Sequence, residues 1–194
     1  VRGGTAVAQG GGIYAYAGPT WIADCQIGFN RAATSGGGLY LIAGEDTLRT
    51  VKNCLITDNS AGRDGGGVSG SWGAKVRIAN CTVAGNAVTN LLTETFGAGV
   101  YAGYGADVVV IDSILWDNVS SDKGSQLAVT GEQPHQSSMR VTYSDIEPSR
   151  DPNALTGLDL VFVVDSTNSM VASMNMVRMA AAQIAAFVGE EIPD

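Results

Sequence analysis

Val51-Lys52-Asn53-Cys54-Leu55-Ile56-Thr57-Asp58-Asn59 is the stretch on which the fold turns, because the chain writes it again and again. Upstream stands Ile22-Ala23-Asp24-Cys25-Gln26-Ile27, with Asn30 three residues further on. Downstream come Ile78-Ala79-Asn80-Cys81-Thr82-Val83 with Asn86, and Val110-Ile111-Asp112-Ser113-Ile114-Leu115 with Asn118. A fifth copy, Val141-Thr142-Tyr143-Ser144-Asp145-Ile146, carries Ser149 where the others carry asparagine. Cys25, Cys54, Cys81, Ser113 and Ser144 follow one another at intervals of 29, 27, 32 and 31 residues. A near-constant interval of this size marks units that stack.

A second block precedes each copy. Gly10-Gly11-Gly12, Gly36-Gly37-Gly38, Gly65-Gly66-Gly67 and Gly97-Ala98-Gly99 each lead into one apolar residue, Ile13, Leu39, Val68 and Val100, with Leu127 as the equivalent in the fifth unit. Ile22, Val51, Ile78, Val110 and Val141 make one apolar column, and Ile27, Ile56, Val83, Leu115 and Ile146 another. The first column and the Cys/Ser column are three residues apart, which strand alternation would put on opposite faces. A corner at Asp24, Asn53, Asn80 and Asp112 resolves this, since Asx residues tolerate the left-handed conformation. Asn30, Asn59, Asn86 and Asn118 mark the next corner, where side-chain amides can bond along a stack. The glycines suit a further turn where backbones crowd. The expectation is an all-β parallel solenoid of about five coils over residues 1–150, with insertions confined to the turns. A β-sandwich with glycine-rich turns gives no reason for the aligned columns.

These units resemble the right-handed parallel β-helix repeats of secreted surface proteins and of pectate-lyase-like enzymes. The Gly-Gly-Gly-apolar start, with a later Asn-Cys-x-apolar-x-x-Asn, is similar to the polymorphic outer-membrane and autotransporter-like group. The resemblance covers roughly residues 5–150. It implies an extracellular or cell-surface protein, in a fold that serves many functions.

After a linker at 151–157 the character changes. Leu158–Val164 is a near-continuous apolar run, as in a strand buried on both faces. Met170, Met174, Val177, Ala181, Ile184 and Val188 then recur at helical spacing, and Gly189 and Pro193 end the helix. This segment, 158–194, resembles the first strand and helix of a von Willebrand factor A domain. The resemblance maps that family's Asp-x-Ser-x-Ser cation motif onto Asp165, Thr167 and Ser169, with Asn168 where glycine is common. It implies Mg²⁺ or Ca²⁺ at Asp165 in a full-length parent that supplies the remaining ligands; hard oxygen donors suit either ion. The alternative is that Asp165 and Ser166 simply cap the helix. No cofactor is otherwise required.

Eleven Lys and Arg against nineteen Asp and Glu give a net charge of −8, with no basic run, which argues against nucleic acid as a partner. No apolar stretch approaches the length of a membrane span. The start Val1-Arg2-Gly3-Gly4 reads as the interior of a larger precursor. Cys25, Cys54 and Cys81 share one column, so they are expected to be buried, reduced and used as small apolar residues. His135 sits in a polar loop, and no arrangement of catalytic residues emerges; Lys52, Arg77, Asp58 and Asp117 do not converge by spacing. Asn80-Cys81-Thr82 and Asn118-Val119-Ser120 match the glycosylation sequon; both asparagines sit in structural columns, so the matches are read as chance unless the source is a eukaryotic secretory protein. Tyr14, Tyr40 and Tyr101 follow the inward apolar residue of each glycine block, so they should form an outward ladder, interrupted by Ser69, that can stack on sugar rings or simply stabilise the sheet. The expected function is structural or adhesive, with partners in neighbouring domains of the parent, in other copies through head-to-tail filament contacts, or in a glycan or protein ligand. The alternatives are a carbohydrate-active β-helix enzyme and a metal-dependent ligand-binding module.

Overall fold

The computed structural model describes residues 1–42, 47–90, 94–131 and 136–147. The chain winds through five successive turns of short parallel strands. The first turn holds β1 (Thr5–Ala6), β2 (Ile13–Tyr16), β3 (Thr20–Ala23) and β4 (Gln26–Gly28). The second holds β5 (Arg31–Ala32), β6 (Leu39–Ile42), β7 (Leu48–Lys52) and β8 (Leu55–Thr57). The third holds β9 (Ser60–Ala61), β10 (Val68–Ser71), β11 (Lys75–Ala79) and β12 (Thr82–Ala84). The fourth holds β13 (Ala87–Val88), β14 (Val100–Ala102), β15 (Asp107–Ile111) and β16 (Ile114–Trp116). The fifth holds β17 (Val119–Ser120), β18 (Leu127–Val129), β19 (Ser138–Thr142) and β20 (Asp145–Ile146). Each strand pairs with its counterpart one turn away, giving four five-stranded sheets around a common interior.

Register places like on like. Ile22, Val51, Ile78, Val110 and Val141 are successive partners. So are Ile27, Ile56, Val83, Leu115 and Ile146, and Ile13, Leu39, Val68, Val100 and Leu127. These three columns face one another and, with Leu41, Val76 and Val108, form the core. Each fully buried Leu, Ile or Val contributes roughly 1.5–3 kcal/mol, and stacking identical shapes lets every turn bury the same set.

Two corners interrupt the ladder of main-chain bonds, and each is repaired by a side chain. At the first, Asp24, Asn53, Asn80 and Asp112 take φ of 56°, 52°, 52° and 48°. The following N–H turns away from the next strand and meets a side chain instead. Cys54 N–H donates to Cys81 Sγ at 3.4 Å, Cys81 N–H to Ser113 Oγ at 3.1 Å, and Ser113 N–H to Ser144 Oγ at 3.2 Å. Each thiol or hydroxyl donates in turn to the carbonyl two residues before it, as Cys54 does to Lys52, Cys81 to Ala79 and Ser113 to Ile111. The column therefore needs a small side chain that both accepts and donates, so the apolar role expected of the cysteines is only part of the account. All three are free thiols. Cys54 and Cys81 are buried, but Cys25, in the first turn, is only half-buried, against the expectation for the whole column. The bond to Cys54, then burial, pushes the Cys81 thiol above its ordinary range.

At the second corner the left-handed residue is the one before the asparagine: Phe29, Asp58, Gly85 and Asp117. The asparagine then spans the gap. Asn59 Oδ1 accepts from both N–H and Nδ2 of Asn30, at 3.1 and 2.9 Å. Asn86 does the same for Asn59 at 3.0 and 2.9 Å, and Asn118 for Asn86 at 3.0 and 2.9 Å. The second Nδ2 hydrogen goes to a carbonyl the corner leaves open, from Asn59 to Ile27, from Asn86 to Ile56 and from Asn118 to Val83. The column ends differently from its repeat. Asn118 Nδ2 donates to Gln126 Oε1, Gln126 Nε2 donates to Glu147 Oε2, and the same carboxylate accepts Asp117 N–H. The glycines make room: a Cβ on Gly38 would lie 2.6 Å from the Gly67 carbonyl oxygen and 3.0 Å from Asn59 Nδ2.

Two outcomes check this arrangement. Asn59→Ala and Asn86→Ala each orphan several buried groups, at about 1–3 kcal/mol for each group left unpaired, so chemical denaturation should show a loss above about 2 kcal/mol for each variant; an unmoved midpoint would contradict the ladder. Cys81→Ser should cost less than Cys81→Val, although valine is the better hydrophobe, because only serine keeps an acceptor for Cys54 N–H; the reverse order would reduce the column to packing.

Candidate functional site

The outer face of the sheet formed by β2, β6, β10, β14 and β18, with the turns that end its strands, carries the ring contacts Tyr14–Tyr40, Trp72–Tyr104 and Phe96–Tyr101. Alternation sends Leu39 and Leu41 inward and Tyr40 outward, and the same holds for Tyr14, Ser69 and Tyr101 at that register. β2, β10 and β14 each end in a turn with two left-handed residues, Ala17-Gly18, Trp72-Gly73 and Tyr104-Gly105. Glycine takes this conformation freely; a bulky residue there costs on the order of 1–3 kcal/mol. Trp72 at φ 55° and Tyr104 at φ 53° accept that cost in adjacent turns, held together by the Gly73 N–H bond to the Tyr104 carbonyl at 2.9 Å. Their rings stack at 4.8 Å with 9° between planes, yet stay 56% and 41% exposed. Such a stack contributes about 0.5–1.5 kcal/mol, less than the combined strain of two bulky left-handed residues.

The tyrosine ladder expected to face solvent is mostly covered. Tyr14 is half exposed, but Tyr40 and Tyr101 retain only 5% and 3% of their surface. The Tyr101 ring lies down along the sheet rather than standing away from it. Burial pushes the Tyr40 hydroxyl above its usual range, against hydrogen bonds from Ser71 and Trp72. Tyr101 lies over Gly103, where any Cβ would strike its ring, and its hydroxyl sits 2.6 Å from Thr130 Oγ1. Burial pushes that hydroxyl up to about 12. Outward alternation was readable from the sequence; the ring-sized gap at Gly103 that lets Tyr101 fold over was not.

Alongside runs a bridge-bonded row, Ser35, Asp64, Phe96 and Lys123. Asp64 is buried, accepts from Ser35 Oγ at 3.1 Å and pairs with Arg63 Nε at 2.8 Å. Burial outweighs both partners and raises the Asp64 carboxyl above its ordinary value. Lys123 lies 5.4 Å from the centre of the Phe96 ring. The sequence columns do not single out Asp64 or Arg63, because their register depends on turn lengths that vary from unit to unit.

A family model described as the right-handed β-helix region matches residues 5–147. The chain belongs to the right-handed β-helix family. No curated protein and no solved structure matched it. Membership fixes the winding of this β-helix and leaves its activity to its side chains.

Among the described residues of the β-helix, no three of His, Cys, Asp and Glu gather as a metal site would require. No helix among them is long and apolar enough to cross a membrane. Asp165, Thr167 and Ser169 lie outside the described residues, as do His135, Ser149 and the strand and helix read over 158–194. Asn118 of the second sequon is buried with its amide fully engaged, whereas Asn80 of the first is an exposed corner residue.

The raised Asp64 carboxyl gives a pH signature. Its stabilising contribution is fully present below the ordinary value of 3.8 and is lost as pH rises through the higher folded value. Wild type should therefore lose stability relative to Asp64→Asn as pH rises from below 3.8 towards neutrality, measured by denaturant midpoints along a pH series; a difference that stays constant, or grows in favour of wild type, would show that Arg63 and Ser35 outweigh burial.

Proposed function

We propose that this β-helix is a rigid adhesive element of a secreted, cell-surface protein, of the kind found in the polymorphic outer-membrane and autotransporter-like group. The observation that carries the reading is the asparagine spine. It links turn to turn from Asn30 through Asn118 by side-chain bonds of 2.9 Å, so the turns act as one body and not as a string of separate loops. A scaffold of this kind suits holding a surface at a fixed distance, and its variable outer turns suit contact.

Self-association fits the same reading. β1, β2 and β3 each pair on one side only and end their sheets, whereas residues 1–3 bond along the outer edge of β4, and an open strand edge is a template for another chain. Such a contact is head-to-tail and extends into a filament unless a neighbouring domain occupies the edge.

Beads coated with the chain, placed under flow over polysaccharide and protein surfaces, test the adhesive role. Retention with no release of sugar or peptide products is expected. Loss of all coated beads at the lowest shear would contradict adhesion, and release of unsaturated or reducing sugar ends would favour a polysaccharide-degrading enzyme instead.

A further inference from the structure

We infer that the aromatic strip Tyr14–Tyr40–Trp72–Tyr104 is a binding site for a neutral oligosaccharide lying parallel to the axis of the stack. The inference rests on the adhesive reading and names the ligand. The strip is continuous across four turns. The Tyr14 and Tyr40 rings are 5.5 Å apart and tilted by 35°, the Trp72 side chain lies beside the Tyr40 hydroxyl, and Trp72 stacks on Tyr104. Tyr40 forms its covered floor, while Tyr14, Trp72 and Tyr104 keep 50%, 56% and 41% of their surface open. Turns of a parallel stack are ~4.8 Å apart, so the strip is roughly 14 Å long, which fits a short linear chain of rings better than a single ring.

Chemistry narrows the class. Aromatic faces take the apolar face of a sugar ring, and the hydroxyls around it need donors and acceptors. The hydroxyls of the half-exposed Tyr14 and Tyr104 and the indole N–H of Trp72 supply these along the strip, while Ser69 and Ser71 are buried beneath it. Among the described residues, the cation within electrostatic reach of Tyr40 and Tyr104 is Arg63, which is already paired with Asp64. Arg63 is therefore not a surplus cation for a uronate or a phosphate, and the chain's net charge of −8 opposes a polyanion. The strain at Trp72 and Tyr104 points the same way. Glycine would serve both turns without cost, so the rings are there for their surfaces.

The discriminating variants are Trp72→Gly and Tyr104→Gly, which remove a ring and relieve the backbone at once. The full chain is titrated with cellohexaose, laminarihexaose and mannohexaose, with hexagalacturonate as the acidic comparator, by calorimetry and by the indole N–H signals of Trp21, Trp72 and Trp116. One neutral hexasaccharide should bind and shift the Trp72 signal alone. Either glycine variant should weaken it by roughly tenfold or more while its melting temperature holds or rises, and Trp116→Ala should bind as wild type does. No binding by any neutral hexasaccharide, binding of hexagalacturonate alone, or unchanged affinity in both glycine variants would each overturn the site. Beads that still hold under flow when coated with Trp72→Gly would sink this site and leave adhesion standing; beads of wild type that never hold would sink adhesion itself.

Discussion

A parallel stack must turn corners, and at every corner the backbone points some of its polar groups where no strand can reach them. Leaving a buried N–H or C=O unpaired costs about 1–3 kcal/mol, and this chain meets the same corner once per turn. The asparagine amide answers it with two donors and an oxygen that accepts twice. One residue per turn thereby closes the main-chain gap of the turn before it, and its own N–H and Nδ2 tie it to the asparagine of the next. Glycines at 38, 67 and 99 follow from this, because a Cβ at each would lie about 3.0 Å from the amide beside it. The three apolar columns follow too, since fixed corners hold every strand in one register.

The Cys/Ser column shows the same constraint met by other chemistry. Thiol and hydroxyl share little in hydrophobicity, yet each accepts one N–H and donates to one carbonyl at that place. Once the corners are fixed in this way, the outer turns are free to vary in length and composition. That freedom lets one sheet face carry Trp72 and Tyr104 in backbone conformations that a protein built for stability alone would give to glycine. Rigidity inside and strain outside are two sides of one design: the spine makes the strained turns affordable.

Much of this was written in the sequence. Columns are visible wherever the same residue type returns at the same place, so the apolar ladders, the Asx corner and the asparagines of the first four units could be read directly. The end of the spine could not. Gln126 and Glu147 replace the asparagine from other positions in the unit, and only their meeting in space shows the substitution. Arg49 was equally hidden. Alternation by polarity would turn Leu48 inward and Arg49 outward, but the neighbouring strands set the register, so Leu48 is exposed and Arg49 is buried beside Val76. Its Nη1 donates to the Thr47 carbonyl at 3.1 Å, and burial lowers its basicity. The aromatic face was half legible: Tyr14, Tyr40 and Tyr101 were found by register, but the covering of Tyr101 depends on Gly103.

The spine is tested most directly by native-state hydrogen exchange resolved to single residues. The backbone N–H groups of Asn30, Asn59 and Asn86 point at side-chain oxygens and not at a strand. If the amide ladder holds the stack together, Asn59 and Asn86 should exchange as slowly as the strand residues Val51, Ile78 and Val83, opening only when the whole chain unfolds. Exchange of those two amides at the rate of exposed turns, with the strands still protected, would contradict the account.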